Sequence, residues 1–148
     1  MSPMHRPVKT LHPSVVEALP IISRLLHNLG FPKTCARILA ALYFSDQPLT
    51  SKELIEITGY SKSSISAAVK MLESRRLVHK FKCGRYGSYA PSVSLSQLFL
   101  EAQVGLLERA RSRVSELRGR VNSSLGARLE RMEKELAHLI TKLKGENV

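Results

Sequence analysis

Basic residues with small hydroxyl neighbours concentrate in one stretch of this 148-residue chain, from Ser61 to Arg85. The stretch contains seven Lys or Arg residues and a single acid, Glu73, so it carries +6 of the net charge of +11. Lysine and arginine bind phosphate oxygens, and serine and lysine also hydrogen-bond to base edges. A merely solvated helix face usually mixes Glu with Lys, so we interpret this stretch as a surface for a polyanion.

Residues for other chemistries are scattered. The five histidines are dispersed, and there is neither a nucleophile motif nor a phosphate-binding glycine loop. Cys35 and Cys83 lie 48 positions apart, outside any CxxC or CxxH spacing, whereas zinc sites need about four ligands with close pairs. We therefore expect no enzyme activity, no metal and no cofactor, and we expect Cys35 to be buried and inert.

Two short helices are predicted to position the basic surface. Thr50 and Glu53 form a capping box that begins the first of them, and Gly59 ends it. Ser61 then caps a second helix, predicted over about 61–76. Two helices joined by so short a turn, with glycine in it, are typical of a helix-turn-helix.

The helix over 61–76 has two different faces when residues are placed 100° apart. Ile65, Ala68, Val69 and Leu72 fall on one side and are predicted to pack inward. The opposite face is small, hydroxylated and basic. With the start of the helix it supplies these candidate nucleic-acid contacts: Ser61, Lys62, Ser63, Ser64, Ser66, Ala67 and Lys70.

A basic hairpin is predicted directly after this helix. Val78–Cys83 alternates as a strand does, with Lys80 and Lys82 on one face. Gly84–Ser88 is predicted as a turn and Tyr89–Ala90 as a returning strand. The hairpin is interpreted as a wing over 78–90. Its candidate contacts are Lys80, Lys82, Arg85 and Tyr86.

Two further helices are predicted before the basic stretch. Ser14–Glu17 is a capping box that predicts a first helix from Ser14 to about Asn28, with Gly30 as its left-handed end. Pro20 is expected to kink or restart this helix. Pro32 opens a second, largely apolar helix that is predicted to be central to the core.

The last third of the chain carries apolar residues at steps of three and four, from 95 to 143. This spacing predicts long amphipathic helices, close to heptad order. Glycine, asparagine and serine near 119–126 predict a break into two helices, with an uninterrupted rod as the alternative. Burying each leucine contributes about 1.5–3 kcal/mol, so the stripe needs a partner, either a second copy or the chain's own domain. The predicted dimerisation residues are Leu106, Val114, Leu117, Val121, Leu125, Leu129, Met132, Leu136, Leu139 and Leu143.

The predicted fold class is mainly α with a small β-wing. We expect a flexible segment over 1–13, a winged helix-turn-helix over 14–92 and a helical dimerisation region over 93–148. No stretch approaches the roughly 18 apolar residues of a membrane span, and the start lacks the apolar core of a signal peptide. We therefore expect a cytoplasmic protein without membrane association.

In this order of elements the chain resembles the MarR superfamily, and most closely the GbsR branch and its archaeal relatives. The resemblance is carried by Leu29–Pro32, Ala36–Tyr43, Asp46–Thr50, Glu53–Leu54, Ser61–Ser66, Leu72–Glu73, Leu77–Val78, Gly84–Arg85 and Tyr89. It implies that Ser61–Ser66 begins a recognition helix and that Arg85 is the arginine of the wing. It also implies a dimeric transcription regulator on a pseudo-palindromic operator, and some relatives sense small ligands.

We therefore predict a sequence-specific regulator that binds double-stranded DNA as a homodimer, with the helix over 61–76 in the major groove and the wing on the backbone or minor groove. A weakly specific architectural DNA-binding protein and a winged helix used for protein contacts are the alternatives. Tyr43, Phe44 and Phe99 are candidates for an effector pocket, with core packing as their alternative role.

Overall fold

A computed structural model describes residues 12–83 and 86–145, except for the side chains of Cys83 and Tyr86. Within these ranges the chain is mostly helical with one small antiparallel sheet, so the predicted fold class is confirmed. The helices are α1 Pro13–Asn28, α2 Lys33–Phe44, α3 Ser51–Thr58, α4 Lys62–Ser74, α5 Leu95–Arg118 and α6 Ser123–Lys144, and the strands are β1 Leu49–Thr50, β2 Val78–Cys83 and β3 Tyr86–Pro91.

Helix α1 begins earlier than its sequence pattern predicts. His12 is the N-cap, because its Nδ1 atom accepts a hydrogen bond from the backbone N–H of Ser14 at 3.1 Å. Pro13 takes the first helical position, where a missing N–H costs no hydrogen bond. The predicted capping box at Ser14–Glu17 is therefore wrong. The helix also continues through Pro20, so the predicted restart does not occur.

The end of α1 is a Schellman motif built on Gly30, as predicted. Gly30 has a φ of 108°. Its N–H donates to the carbonyl of His27 at 3.0 Å, and the N–H of Phe31 donates to the carbonyl of Leu26 at 3.2 Å. Because Leu26 and Phe31 are both buried, the motif anchors the end of α1 in the core.

Helix α2 is the centre of the first part of the fold and packs against α1, α3, α4 and β3. Its predicted core role is confirmed, since seven of its twelve residues are buried. Cys35 is one of them, and its Sγ lies 3.5 Å from Sδ of Met71 in α4. Burial raises the pKa of the Cys35 thiol, although nearby Arg75 lowers it. The thiol is therefore an uncharged part of the core.

The three strands form an antiparallel sheet in the order β1-β3-β2. The sequence did not predict β1, which pairs Leu49 with Tyr89. Strand β3 begins at Tyr86, which pairs with Cys83, so the predicted turn over 84–88 is wrong. The residues between the paired strands, 84 and 85, lie outside the described residues.

The chain divides into two compact units between Leu95 and Ser96, three residues beyond the predicted boundary of 92. Of the segment expected to be flexible, residues 1–11 lie outside the described residues and Pro13 belongs to α1. In the second unit α5 ends at Arg118, and Asn122 caps α6 by accepting a hydrogen bond from the N–H of Leu125 at 2.9 Å. The predicted break into two helices is confirmed.

Helices α5 and α6 form an antiparallel hairpin with ion pairs at both ends. Arg118 contacts Glu133 at 3.0 Å and Glu130 at 3.9 Å. At the other end, Nζ of Lys144 lies 3.3 Å from a carboxylate oxygen of Glu108. None of the helices in the described part of the chain is long and apolar enough to cross a membrane.

Candidate nucleic-acid interface

The turn between α3 and α4 follows the predicted helix-turn-helix pattern. Thr50 Oγ1 accepts from the N–H of Glu53 at 3.1 Å, and the Glu53 carboxylate accepts from the N–H of Thr50 at 3.0 Å, which completes the capping box. Gly59 ends α3 with a φ of 77°. Nothing lies within 4 Å of a Cβ built at Gly59, so its left-handed backbone is the reason for glycine there.

A cluster of serine hydroxyls fixes the start of α4. The Ser61 hydroxyl accepts from the N–H of Ser64 at 3.2 Å and donates to the Ser64 hydroxyl at 3.0 Å. The Ser63 hydroxyl lies 3.2 Å from that of Ser61. Ser61 is therefore a capping residue, and all three serines remain exposed to an approaching ligand.

The two predicted faces of α4 are confirmed by burial. Ile65, Val69 and Leu72 are buried, and Ala68 lies among them. The remaining predicted contacts are exposed: Lys62, Ser66, Ala67 and Lys70. The exposed side is thus free of acids and of large apolar side chains, so it can approach a flat or grooved surface closely.

The lysines of the wing share a face with its buried residues. Val78 and Tyr89 are buried at the base of the sheet, and alternation along β2 places Lys80 and Lys82 on the same side as Val78. Lys80 pairs with Tyr89 across the hairpin, and Lys82 pairs with Gly87. One face of the sheet therefore carries buried residues at its base and lysines nearer the hairpin loop.

The side chain of Lys80 is held across the sheet surface. Its Nζ lies 5.9 Å from the centroid of the Tyr89 ring, a cation–π distance. A Cβ atom built at Gly87 would lie 2.5 Å from Cε of Lys80. The absence of a side chain at position 87 is therefore what lets the lysine stem take this path.

The opposite face of the wing carries two aromatic side chains. The rings of His79 and Phe81 meet edge to face, with 4.7 Å between their centroids. Phe81 is 45 % exposed. His79 and Phe81 therefore share a face, and alternation along β2 places the lysines on the other one.

Six cations of this region belong to described residues: Lys62, Lys70, Arg75, Arg76, Lys80 and Lys82. All six are exposed, and none forms an ion pair with another described residue. The one acid nearby, Glu73, is half-buried. Helix α4 also packs against β2. The two elements that carry this exposed charge are therefore neighbours in the fold.

Two predicted contacts cannot be placed. Arg85 lies outside the described residues, and so does the side chain of Tyr86. Lys52, which the sequence analysis did not name, is exposed in the first turn of α3. It is a further candidate, because the first helix of a helix-turn-helix crosses the DNA backbone. Contact of any of these residues with DNA stays a prediction.

The residues suggested for an effector pocket are half-buried. The hydroxyl of Tyr43 donates to the backbone carbonyl of Val93 at 2.8 Å, which gives this side chain a structural role. That an effector binds near Tyr43, Phe44 and Phe99 stays a prediction. In the part of the chain that the structure describes, no group of three or more His, Cys, Asp or Glu residues could hold a metal ion.

Residues 29–82 match the profile of the MarR family. Over 59 residues, 40 % of the chain, the sequence is 34 % identical to the HTH-type transcriptional repressor OpcR of Bacillus subtilis (strain 168). It is equally similar to the putative HTH-type transcriptional regulator YvaV of the same organism. The similar segment covers 32 % and 33 % of those proteins, so the chain spans about a third of the length of these curated relatives.

A solved structure shares the overall fold. The crystal structure of a transcriptional regulator aligns with 90 % of this chain and 95 % of its own, with a TM-score of 0.68 and 15 % identity. At this identity the likeness concerns the fold alone. The MarR match covers α2, α3, α4 and β2 as far as Lys82, so it falls on the winged helix-turn-helix rather than on α5 and α6.

Proposed function

We propose that this protein is a sequence-specific, double-stranded-DNA-binding transcription regulator of the MarR family, in its GbsR-like branch, that acts as a homodimer. The observation that carries the proposal is the exposed face of α4, whose side chains are small, hydroxylated and basic. The adjacent wing adds Lys80 and Lys82, which lie on one face of β2. The names of OpcR and YvaV, both HTH-type regulators, support it.

Helix α4 is the element that enters the major groove in this proposal. That groove is about 12 Å wide and admits one α-helix. Ser63, Ser66, Ala67 and Lys70 would face the base edges, because they are exposed on the side away from the core. Lys62 and the free N–H groups at the start of α4 would hold a phosphate.

The wing would bind the DNA backbone or the adjacent minor groove. Lys80 and Lys82 supply its charge among the described residues, and Arg85 and Tyr86 are the further candidates from the sequence. Phosphate contacts of this kind set position and overall affinity, whereas base-edge contacts set sequence preference. The two elements are thus expected to have separable effects on binding.

The apolar stripe of α5 and α6 supports a homodimer. None of the ten predicted dimerisation residues is buried within one chain. Four of them are exposed by more than 40 %: Leu117, Leu125, Met132 and Leu139. Removing each leucine side chain from water stabilises an interface by about 1.5–3 kcal/mol. Packing of a second copy against the stripe is therefore favourable. The dimer would place two α4 helices about 34 Å apart, one turn of duplex.

Selection of bound duplexes from a random pool, followed by footprinting, tests the proposal. A regulator of this design should recover a site with two-fold symmetry and protect two half-sites. Recovery of sequences without a common pattern would instead indicate the architectural alternative.

Single substitutions separate base reading from general attraction to DNA. Lys70→Ala should reduce the preference for the selected site over random duplex. Lys134→Ala, which removes an exposed lysine from α6, is the matched control and should leave that preference unchanged. Equal preference in wild type and Lys70→Ala would show that α4 does not read the site.

A further inference from the structure

The apolar stripe of α6 is a strict heptad with two unequal edges. Leu125, Met132 and Leu139 are seven residues apart, and we name them the open edge. They are 41 %, 49 % and 44 % exposed. The residues of the other edge, Leu129, Leu136 and Leu143, are also seven apart, and all are half-buried.

The half-buried edge is the one turned towards α5. Glu133 lies beside it on the helix surface, is only 14 % exposed, and pairs with Arg118 of α5 at 3.0 Å. Ile140, on the same side, is buried. The hairpin partner α5 therefore occupies this side of α6, and the open edge faces away from it.

Charged residues flank the open edge on its other side. Arg128, Glu135 and Lys142 are also seven apart, so they form a row alongside it. All three are exposed. Neither Arg128 nor Glu135 forms an ion pair with a described residue. Arg128 and Glu135 are thus an unpaired cation and an unpaired anion, placed nearly symmetrically about Met132.

We propose that α6 packs against α6 of a second copy in antiparallel orientation, with the two-fold axis close to Met132. This inference rests on the proposed homodimer and specifies its geometry. In this arrangement Leu125 lies against Leu139 of the partner copy, and Met132 lies beside its own counterpart. Arg128 then comes level with Glu135 of the partner copy, within about one residue or 1.5 Å of helix rise, and the axis repeats this pair.

The charges select this register over its neighbours. Sliding one helix so that Leu125 meets Met132 brings Arg128 level with its own counterpart. Sliding it so that Met132 meets Leu139 brings Glu135 level with its own counterpart. Both shifts oppose like charges and leave one apolar layer uncovered, whereas the register centred on Met132 pairs opposite charges twice and covers three layers.

A parallel pairing of α6 lacks these partners. In a parallel coiled coil Arg128 would meet residue 133 of the other copy, because such contacts join positions five residues apart across the seam. Glu133 is turned towards α5 and bonded to Arg118, so it is not available. The antiparallel orientation uses only side chains that the hairpin leaves open.

Disulfide trapping tests the orientation, in a full-length background with Cys83→Ser. Met132→Cys should form a covalent dimer under mild oxidation. Leu125→Cys and Leu139→Cys should each fail to do so alone, because their equivalent positions are about 21 Å apart along the axis, beyond the 7 Å limit between Cα atoms. The double variant Leu125→Cys with Leu139→Cys should cross-link. Lys134→Cys, exposed on another face of α6, is the control that should stay monomeric on a non-reducing gel.

Charge exchange tests the register. Arg128→Glu and Glu135→Arg, each alone, should weaken the dimer by roughly tenfold in analytical ultracentrifugation, since each sets like charges opposite one another twice. The double variant restores opposite charges and should return to within about threefold of wild type. A double variant no tighter than the weaker single one would overturn the register.

The outcomes separate this inference from the homodimer itself. A wild-type chain that sediments as a monomer at all concentrations would overturn both. A dimer in which Leu125→Cys cross-links efficiently with itself would retain the homodimer and refute the antiparallel orientation. A dimer that resists cross-linking at Met132 would refute the position of the axis.

Discussion

The salt dependence of DNA binding should report the number of wing lysines in contact with phosphate. Three described lysines per subunit, Lys62, Lys80 and Lys82, are exposed on the proposed surface. Arg85 is the fourth candidate phosphate contact from the sequence, which gives eight in a dimer. Each neutralised phosphate contributes about −0.9 to the slope of log affinity against log salt. The wild-type slope should therefore be about −7, and affinity should fall roughly 10⁴-fold between 50 and 200 mM salt.

Replacing both wing lysines by glutamine, Lys80→Gln with Lys82→Gln, removes four of these contacts from the dimer. The slope should become shallower by about 3.6, and the loss over the same salt range should shrink to roughly 150-fold. Fluorescence anisotropy with a labelled duplex at four salt concentrations measures both slopes. Preference for the selected site over random duplex should change little if these lysines contact the backbone, as proposed.

The matched control removes the same charge from α6. Arg131→Gln with Lys134→Gln lowers the net charge equally, but both residues belong to the second unit and are exposed there. This control should keep the wild-type slope to within about one unit. The same loss of slope in both variants would refute the reasoning, because net charge rather than the wing would then govern binding.

Three further predictions concern stability and reactivity. Ser61→Ala should lower the free energy of unfolding by about 1 kcal/mol in urea titration, whereas Ser61→Asp should retain stability as a good N-cap and still lose DNA affinity through its negative charge. Arg76 has a left-handed φ of 60°, which costs a residue with a Cβ about 1–2 kcal/mol. Arg76→Gly should raise the free energy of unfolding by about 0.5–1 kcal/mol, once the extra backbone entropy of glycine is subtracted. Arg76→Ala should leave the free energy of unfolding unchanged. With Cys83→Ser as background, the Cys35 thiol should react with a thiol reagent at pH 8 only as fast as the protein opens, because the thiol is buried. Rapid reaction in the native state would contradict this burial.

The helix-turn-helix was predictable because its signals are local. The capping box at Thr50, the left-handed Gly59 and the cap at Ser61 each act within four residues, and all three occur as predicted. The faces of α4 followed from its period, since an apolar side every three or four residues has only one way to pack inward.

The parts that the sequence did not reveal depend on contacts distant in the chain. β1 is two residues long, too short to show alternation, and exists because Leu49 pairs with Tyr89 some forty positions later. The segment from 84 to 88 is rich in glycine and suggested a turn, but its pairing with β2 extends the strand to Tyr86. Helix α1 offered two possible N-caps, His12 and Ser14. His12 is the N-cap because proline, here Pro13, is favourable at the first helical position.

The position of the apolar stripe was predictable, whereas the unequal exposure of its two edges was not. The heptad spacing is present in the sequence, but it does not show which edge the neighbouring helix takes. The ion pair between Arg118 and Glu133 marks the edge that α5 takes. Which edge this is depends on the length and direction of the connection between α5 and α6.

Because the Lys80 side chain passes over Gly87, the uncharged residue at position 87 determines where the Lys80 ammonium group lies. Any side chain at 87 would meet the lysine stem rather than backbone, so the sheet can keep its pairing while the ammonium group swings to a new place. Substitution of Gly87 in a related protein is therefore expected to change DNA affinity while the net charge and the recognition helix stay the same.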